Sequence, residues 1–171
     1  MTSAREFVCD DLFGFNDINL DPLTETYNMS FYMKYLAKSP EYFFVAEDSA
    51  GKSMGYIMGK AEGKGEEWHG HVTAITVAPT ARRIGLANRM MALLETVSEV
   101  YHNNYFVDLF VRVSNDVAIS MYKCFGYSVY RRVLGYYSGE EDAFDMRKAL
   151  PRDKDKKSII PLERPVTVDE L

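Results

Sequence analysis

The sequence predicts a mixed α/β domain, with one central sheet of about seven strands flanked by four helices and followed by a C-terminal extension. Three observations carry this. Short apolar runs bounded by Pro, Gly and Ser recur at strand length. Between them lie segments whose apolar residues return every three or four positions, the period of a helix. The two kinds follow in the order strand, two helices, three strands, helix, strand, helix, two strands, which is the pattern of a sheet covered by helices. No internal repeat is visible.

Glu6-Phe7-Val8-Cys9 reads as the first strand. Asp10-Asp11 then opens a helix, because acids complement the positive end of the helix dipole, and Asp21-Pro22 ends it. A second helix covers Ser30 to Lys38, with Phe31, Tyr35 and Leu36 on one side and Ser39-Pro40 as its stop. Tyr42 to Glu47 and Ser53 to Lys60 form a hairpin about Ser49-Ala50-Gly51. After the charged loop Glu62 to Glu67, a strand runs from His71 to Val77 and stops at Ala78-Pro79. From Leu86, the residues Met90, Leu93, Leu94, Val97 and Tyr101 make one helical face. Phe106 to Val111 is an almost continuous apolar run holding Asp108, as in a central strand. A short helix spans Asp116 to Phe125, and Gly126 suits its left-handed cap. Ser128 to Tyr137 and Phe144 to Lys148 are the last two strands.

Composition narrows the function. A chain of 171 residues, 47% hydrophobic and 13% aromatic, is long enough to bury one core and unlike a disordered segment. No apolar run reaches the roughly 18 residues of a membrane span, and no signal-peptide pattern opens the chain, so no membrane role is expected. Cys9 and Cys124 are too few to staple the fold, which points to a reduced, intracellular protein, with Cys124 read as a structural residue late in its helix. The net charge of −5 argues against direct nucleic-acid binding, whose affinity comes from neutralised phosphates. It leaves room for a local cationic site.

Such a site is suggested between the His71–Val77 strand and the helix after it, in Arg82-Arg83-Ile84-Gly85-Leu86-Ala87. Gly85 and Ala87 remove bulk where the backbone turns, so that successive free amides and the helix dipole can cradle a diphosphate. Arg82 and Arg83 oppose the dipole unless an anion neutralises them. Two solvated arginines on an ordinary connection remain the competing reading. The loop lacks the Gly-Lys-Ser/Thr of a Walker site. Farther on, Asn115 is placed to cap a helix, and Tyr122, seven positions later, lies on the same face. A cap and a buried aromatic are the plain alternative.

Arg82-x-x-Gly85-x-Ala87 after a strand resembles the coenzyme A pyrophosphate loop of the GNAT N-acetyltransferases. Asn115-x-x-Ala118-x-x-x-Tyr122 followed by Gly126-Tyr127 resembles the second motif of that family. The resemblance implies a GNAT fold whose sheet opens beside the loop, with acetyl-CoA as co-substrate. It implies contacts to acetyl-CoA from Ile75, Thr76, Val77, Arg82, Arg83, Ile84, Gly85, Leu86, Ala87, Asn115 and Tyr122. It further implies that a backbone amide near Val77 holds the oxyanion and that the Tyr122 hydroxyl serves the thioester sulfur.

More of the chain is similar to the catalytic subunits of NatB-type N-terminal acetyltransferases, including Asp10-Asp11-Leu12-Phe13, Gly55-Tyr56-Ile57-Met58-Gly59-Lys60, Trp68-His69-Gly70-His71-Val72-Thr73-Ala74 and Lys156-Lys157-Ser158-Ile159-Ile160-Pro161-Leu162. This resemblance implies acetylation of the α-amine of nascent polypeptides beginning Met-Asp, Met-Glu, Met-Asn or Met-Gln, a large helical-repeat auxiliary subunit, and ribosome association through it. The absence of a Ser-His-Asp or Cys-His pattern favours direct attack over an acyl-enzyme. His69, His71 and Thr73 alternate along one strand face. His69-x-His71 has no third ligand nearby, so no metal is expected. His71 and Thr73 are expected to hydrogen-bond the second substrate residue, with His71 also relaying the amine proton. Glu25 and Tyr27 in one loop, and Tyr136 and Tyr137 at a strand end, are expected to flank the peptide.

The competing functions are a lysine or small-amine acetyltransferase and a noncatalytic acyl-CoA-binding module. The aromatics of Asp10–Phe15 and Phe31–Tyr35 suit either a partner surface or the core. Residues 1–150 are expected to form the enzyme and residues 151–171 an extension. That extension is charged, has three prolines and no amphipathic period, and Ile159-Ile160-Pro161-Leu162 is its expected anchor.

Overall fold

The computed structural model describes residues 2–20 and 24–171, so the expected Asp21-Pro22 stop lies outside the described residues. Among the described residues the strands β1 (Ser3–Glu6), β2 (Phe43–Glu47), β3 (Ser53–Glu62), β4 (His69–Val77), β5 (Phe106–Arg112), β6 (Ser128–Tyr137), β7 (Glu141–Ala149) and β8 (Val166–Thr167) follow in the sheet order β1-β2-β3-β4-β5-β7-β6-β8, eight where about seven were expected. The chain divides into two compact units: the described residues up to Ala61 with Val72–Val97, and Glu62–His71 with Ser98–Leu171.

In the first unit, β1 (Ser3–Glu6) pairs antiparallel with β2 (Phe43–Glu47), and β2 with β3 (Ser53–Glu62) in the expected hairpin. The first strand begins and ends three residues earlier than expected. Phe7 still donates its N–H to the Phe43 carbonyl and stacks its ring on Phe43 at 4.0 Å, and Cys9–Phe13 is a 3₁₀ turn instead of an α-helix. Asp11 fixes that turn, accepting from the Val8 N–H and pairing with both terminal nitrogens of Arg5 at 2.8 and 2.7 Å. The first α-helix, α1 (Asn16–Asn19), is one turn.

Helix α2 (Met29–Lys38) starts at Asn28, whose side chain accepts from the Phe31 N–H. Its buried residues are Tyr32 and Tyr35; Phe31 and Leu36 are only half-buried, a rotation of the expected face. The rotation follows from the tyrosine hydroxyls. Tyr32 meets the Tyr56 hydroxyl at 3.3 Å, and Tyr56 donates to Asn19 Oδ1, so a buried aromatic layer keeps its polar tips satisfied. Strand β4 (His69–Val77) lies against β3 so closely that a Cβ on Gly55 would meet the Thr76 carbonyl oxygen at 2.7 Å. Only glycine fits there. Helix α3 (Leu86–Val100) buries Met90, Met91 and Leu94; Tyr101, expected on its apolar face, lies past its end and is exposed.

In the second unit, β5 (Phe106–Arg112) and β6 (Ser128–Tyr137) both pair antiparallel with β7 (Glu141–Ala149). Between β5 and β6 lies α4 (Asp116–Cys124), capped by Asn115, with Gly126 left-handed at its end as expected. Cys124 is exposed, not packed as a structural residue. Arg147 is buried between the rings of Phe106 and Tyr130, 4.3 and 3.6 Å from their centroids, and pairs with Asp145 and Glu67.

The additional strand is β8 (Val166–Thr167), parallel to β6. It comes from the segment whose composition resembles disorder. The expected anchor is half right: the Leu162 N–H bonds to the Tyr130 carbonyl at 2.7 Å, but Ile160, Pro161 and Leu162 are exposed. The buried apolar residue of the extension is Val166, packed with Val133 and Ala143.

Candidate active-site residues

In the first unit, β4 delivers Thr73, Ile75, Thr76 and Val77. Although central in the strand order, it leaves Thr73 to Ile75 only half-buried. The Thr76 hydroxyl meets that of Thr24 at 2.7 Å, which ties the loop carrying Glu25 to the end of the strand. Glu25 is exposed, and Tyr27 stacks on Phe31 with centroids 4.3 Å apart. Thr73 bonds the Tyr35 hydroxyl at 2.7 Å and retains further donor and acceptor capacity, since a hydroxyl has one proton and two lone pairs.

After β4, Pro79–Ala81 makes one 3₁₀ turn, and Arg82 to Gly85 form an exposed bend into α3. Arg83 and Gly85 have φ of 68° and 79°, so the backbone enters the left-handed region twice within this bend. The Arg89 N–H reaches back to the Gly85 carbonyl, so by helix geometry the amides of Leu86 to Asn88 have no carbonyl one turn behind them. Arg82 is anchored by Nε to the Val77 carbonyl at 3.1 Å. Ile84 is exposed, Leu86 buried and Ala87 half-buried.

In the second unit, one face of β5 presents Phe106, Asp108, Phe110 and Arg112 in alternation. Asp108 Oδ1 lies 2.8 Å from His71 Nδ1, and its Oδ2 lies 3.4 Å from His69 Nε2. Glu62 stands at 4.0 and 3.9 Å from the same two rings. Burial pushes the Asp108 carboxyl up, but the charge and hydrogen bond of His71, then His69 and Arg147, outweigh it and hold it below the usual carboxylate range. An ionised Asp108 accepts from Nδ1–H, which leaves the lone pair of neutral His71 on Nε2. His69 turns its Nδ1 to the Glu67 carbonyl and stacks flat on Phe106.

Phe110 connects this pair to the tyrosines. Its ring tilts against His71 at 5.6 Å and stacks on Tyr136 at 4.6 Å. Tyr137 donates to the Phe110 carbonyl at 3.2 Å and lies under the Arg112 guanidinium. Asn115 accepts from the Ala118 N–H, as its spacing predicts. Tyr122 is buried edge-on to Phe125 and Tyr127, and burial pushes its hydroxyl up to about 12. Among the described residues no protein group hydrogen-bonds that hydroxyl.

Of the expected residues, contacts link Arg82 to Val77 in the first unit, and His71 through Phe110 to Tyr136 and Tyr137 in the second, while Asn115 and Tyr122 make theirs around α4. Sequence reasoning missed Thr24, Tyr35, Asp108 and Phe110 as their partners. Asp108 did carry a signal, since a carboxylate inside an apolar strand requires a cationic or hydrogen-bonding neighbour.

A model of the acetyltransferase (GNAT) family matches residues 12–127. The chain belongs to the GNAT acetyltransferase family. Among its relatives, N-alpha-acetyltransferase 20 of Dictyostelium discoideum is 67% identical, covering 97% of this chain and 96% of that one. The N-terminal acetyltransferase B complex catalytic subunit NAA20 of Arabidopsis thaliana is 63% identical over 100% and 98%. The crystal structure of Chaetomium thermophilum Naa20 in complex with a bisubstrate analogue superposes with a TM-score of 0.92 at 42% identity, covering 98% of this chain and 97% of that one. The GNAT match ends at Tyr127, so β6, β7 and β8, with Tyr136 and Tyr137, lie beyond it. The named relatives extend through them.

Proposed function

We propose that the chain is the catalytic subunit of a NatB-type N-terminal acetyltransferase. It transfers acetyl from acetyl-CoA to the α-amine of nascent proteins beginning Met-Asp, Met-Glu, Met-Asn or Met-Gln, in the cytoplasm. A large helical-repeat auxiliary subunit brings it to the ribosome. The observation that carries this reading is identity of 67% and 63%, over 97% and 100% of this chain, to two N-terminal acetyltransferases.

The Arg82–Ala87 turn takes the pyrophosphate of acetyl-CoA on its backbone amides, with Arg82 and Arg83 supplying charge. Ile75, Thr76 and Val77 line the thioester arm, a backbone amide near Val77 holds the developing oxyanion, and Asn115 shapes the site from its cap. Roughly a tenth to a fifth of α-amines are neutral at pH 7, so positioning and a modest base suffice. The amine nitrogen forms the new C–N bond, and the C–S bond breaks with its electrons on sulfur. Tyr122 gives that sulfur a proton, and His71 Nε2 takes the proton the amine sheds, directly or through water.

Thr73 reads the second residue because its hydroxyl serves acids as donor and amides as either partner. His71 assists amides through its lone pair, and acids when protonated. Glu25, Tyr27, Tyr136 and Tyr137 flank the peptide. Phe13, Leu20, Met29 and Met33 are exposed although Phe15, Tyr32 and Tyr35 of the same segments enter the core. These outward apolar groups suit the auxiliary subunit. The test is mass spectrometry of protein N-termini after depletion, where Met-Asp and Met-Glu termini should lose acetylation. Unaltered acetylation would overturn the assignment.

A further inference from the structure

We infer that the C-terminal segment from Leu162 to Val168 is a positioning element of the peptide-binding wall, acting through Val166 on Tyr136, Tyr137 and Phe110. The inference rests on the reading above that these tyrosines flank the peptide.

The starting point is an interruption in the sheet. β6 and β7 pair up to Val133 opposite Ala143 with one bulge between Val129 and Arg131, then lose register again and meet only at Tyr137 opposite Glu141. Within the gap Gly135 has φ 62° and turns its N–H to the Asp142 carboxylate instead of a ladder carbonyl. The turn beyond it carries two further left-handed residues, Ser138 and Gly139. Tyr136 and Tyr137 thus stand at the end of a strand whose pairing on the β7 side is broken.

β8 supports the other edge beside that break. Val166 and Thr167 lie opposite Val133, the last residue before the gap, and Leu134, the first within it. The Val166 side chain is buried with those of Val133 and Ala143, and Phe110, Tyr136 and Tyr137 pack against this cluster. Phe110 in turn touches His71. The cluster that Val166 completes therefore packs against the proposed peptide wall and, through Phe110, reaches the proposed base. The segment is pinned on both sides of Val166. Leu162 bonds Tyr130 on β6, and Thr167 donates its N–H to the Glu170 carboxylate, which also pairs with Arg164. An exposed segment with one buried side chain contributes little area to the core, so its effect falls on what that side chain touches.

The experiment compares the full-length enzyme, assembled with its auxiliary subunit, with Val166→Ala, Val166→Asp and a truncation after Leu162. Hydrogen exchange of Leu134 to Glu141 and steady-state kinetics with a Met-Asp peptide are both measured. Tyr137→Phe in the intact chain is the control for the peptide-wall reading.

The expected result is faster exchange confined to Leu134–Glu141. The peptide KM should rise about tenfold on truncation, equal to about 1.4 kcal/mol of binding, with the acetyl-CoA KM within about twofold. Val166→Ala should move in the same direction by less, and it serves if the other two do not fold. Unchanged exchange, or equal loss in both KM values, would overturn the inference. Faster exchange with an unchanged peptide KM, together with a silent Tyr137→Phe, would instead remove the tyrosines from the peptide site. A merely structural tail would lower the melting temperature without separating the two KM values.

Discussion

Tyr122→Phe separates chemistry from scaffold. The ring sits edge-on to Phe125 and Tyr127, and phenylalanine keeps both contacts. Because no protein group among the described residues pairs with the hydroxyl, its removal orphans no partner. The stability change should therefore stay within about 0.5 kcal/mol, a shift of about 1–2 °C for a chain this long. The chemical cost is larger. A positioned proton donor contributes about 10²–10⁴-fold, or about 3–5 kcal/mol, and all of it should appear in kcat while the acetyl-CoA KM stays within about twofold. Burial also sets the pH behaviour: with its hydroxyl pushed up to about 12, Tyr122 remains protonated wherever an amine is acetylated. The stability tied to that shift is complete below the usual tyrosine value of about 10 and is lost as pH rises from there to about 12. The assay is stopped-time kcat at saturating acetyl-CoA and Met-Asp peptide across pH, beside thermal melts. A Phe variant within about threefold of the parent would refute the role of Tyr122. So would an alkaline limb below about pH 9 that disappears in the variant.

Asp108→Asn keeps an acceptor near His71 but removes the charge, and kcat/KM should fall about a hundredfold, the low end of what a base contributes. The parent should also lose stability as pH falls below about 4, since its carboxyl titrates lower folded than unfolded. Melts of the Asn variant should lack that acid component. Gly85→Ala meets no neighbouring atom but must adopt φ 79°, a cost of about 1–2 kcal/mol that should raise the acetyl-CoA KM up to about tenfold and leave the peptide KM unchanged by competition binding. Thr73→Val should narrow the kcat/KM preference for Met-Asn over Met-Leu peptides about tenfold, because the Tyr35 hydroxyl cannot reproduce the lost donor.

The two motif segments were legible because they are local. The end of β4, the turn at Gly85 and the Asn115 cap depend on neighbours a few positions away, and β6 begins and ends at its predicted residues for the same reason. What stayed hidden depends on distant partners. The face α2 buries is selected by Tyr56, which no periodicity within α2 can report. Asp108 was visible as an anomaly, but its two histidines lie on another strand. β8 is two residues long in a charged, proline-bounded stretch, and its energy comes from the edge of β6 and one buried valine. Tyr101 continued the helical period by chance after the helix had ended.

The parallel pairing of β8 also bears on how the protein is made. β6 emerges from the ribosome well before Val166, and until then its ten residues offer open backbone amides and carbonyls on the side away from β7. An unpaired strand of that length is a template for joining another nascent chain. The late-arriving segment closes this edge at Tyr130, Val133 and Leu134. Clipped or mistranslated chains that lack Val166 are thus expected to be quality-control clients, captured by chaperones before any deficit in acetylation is felt.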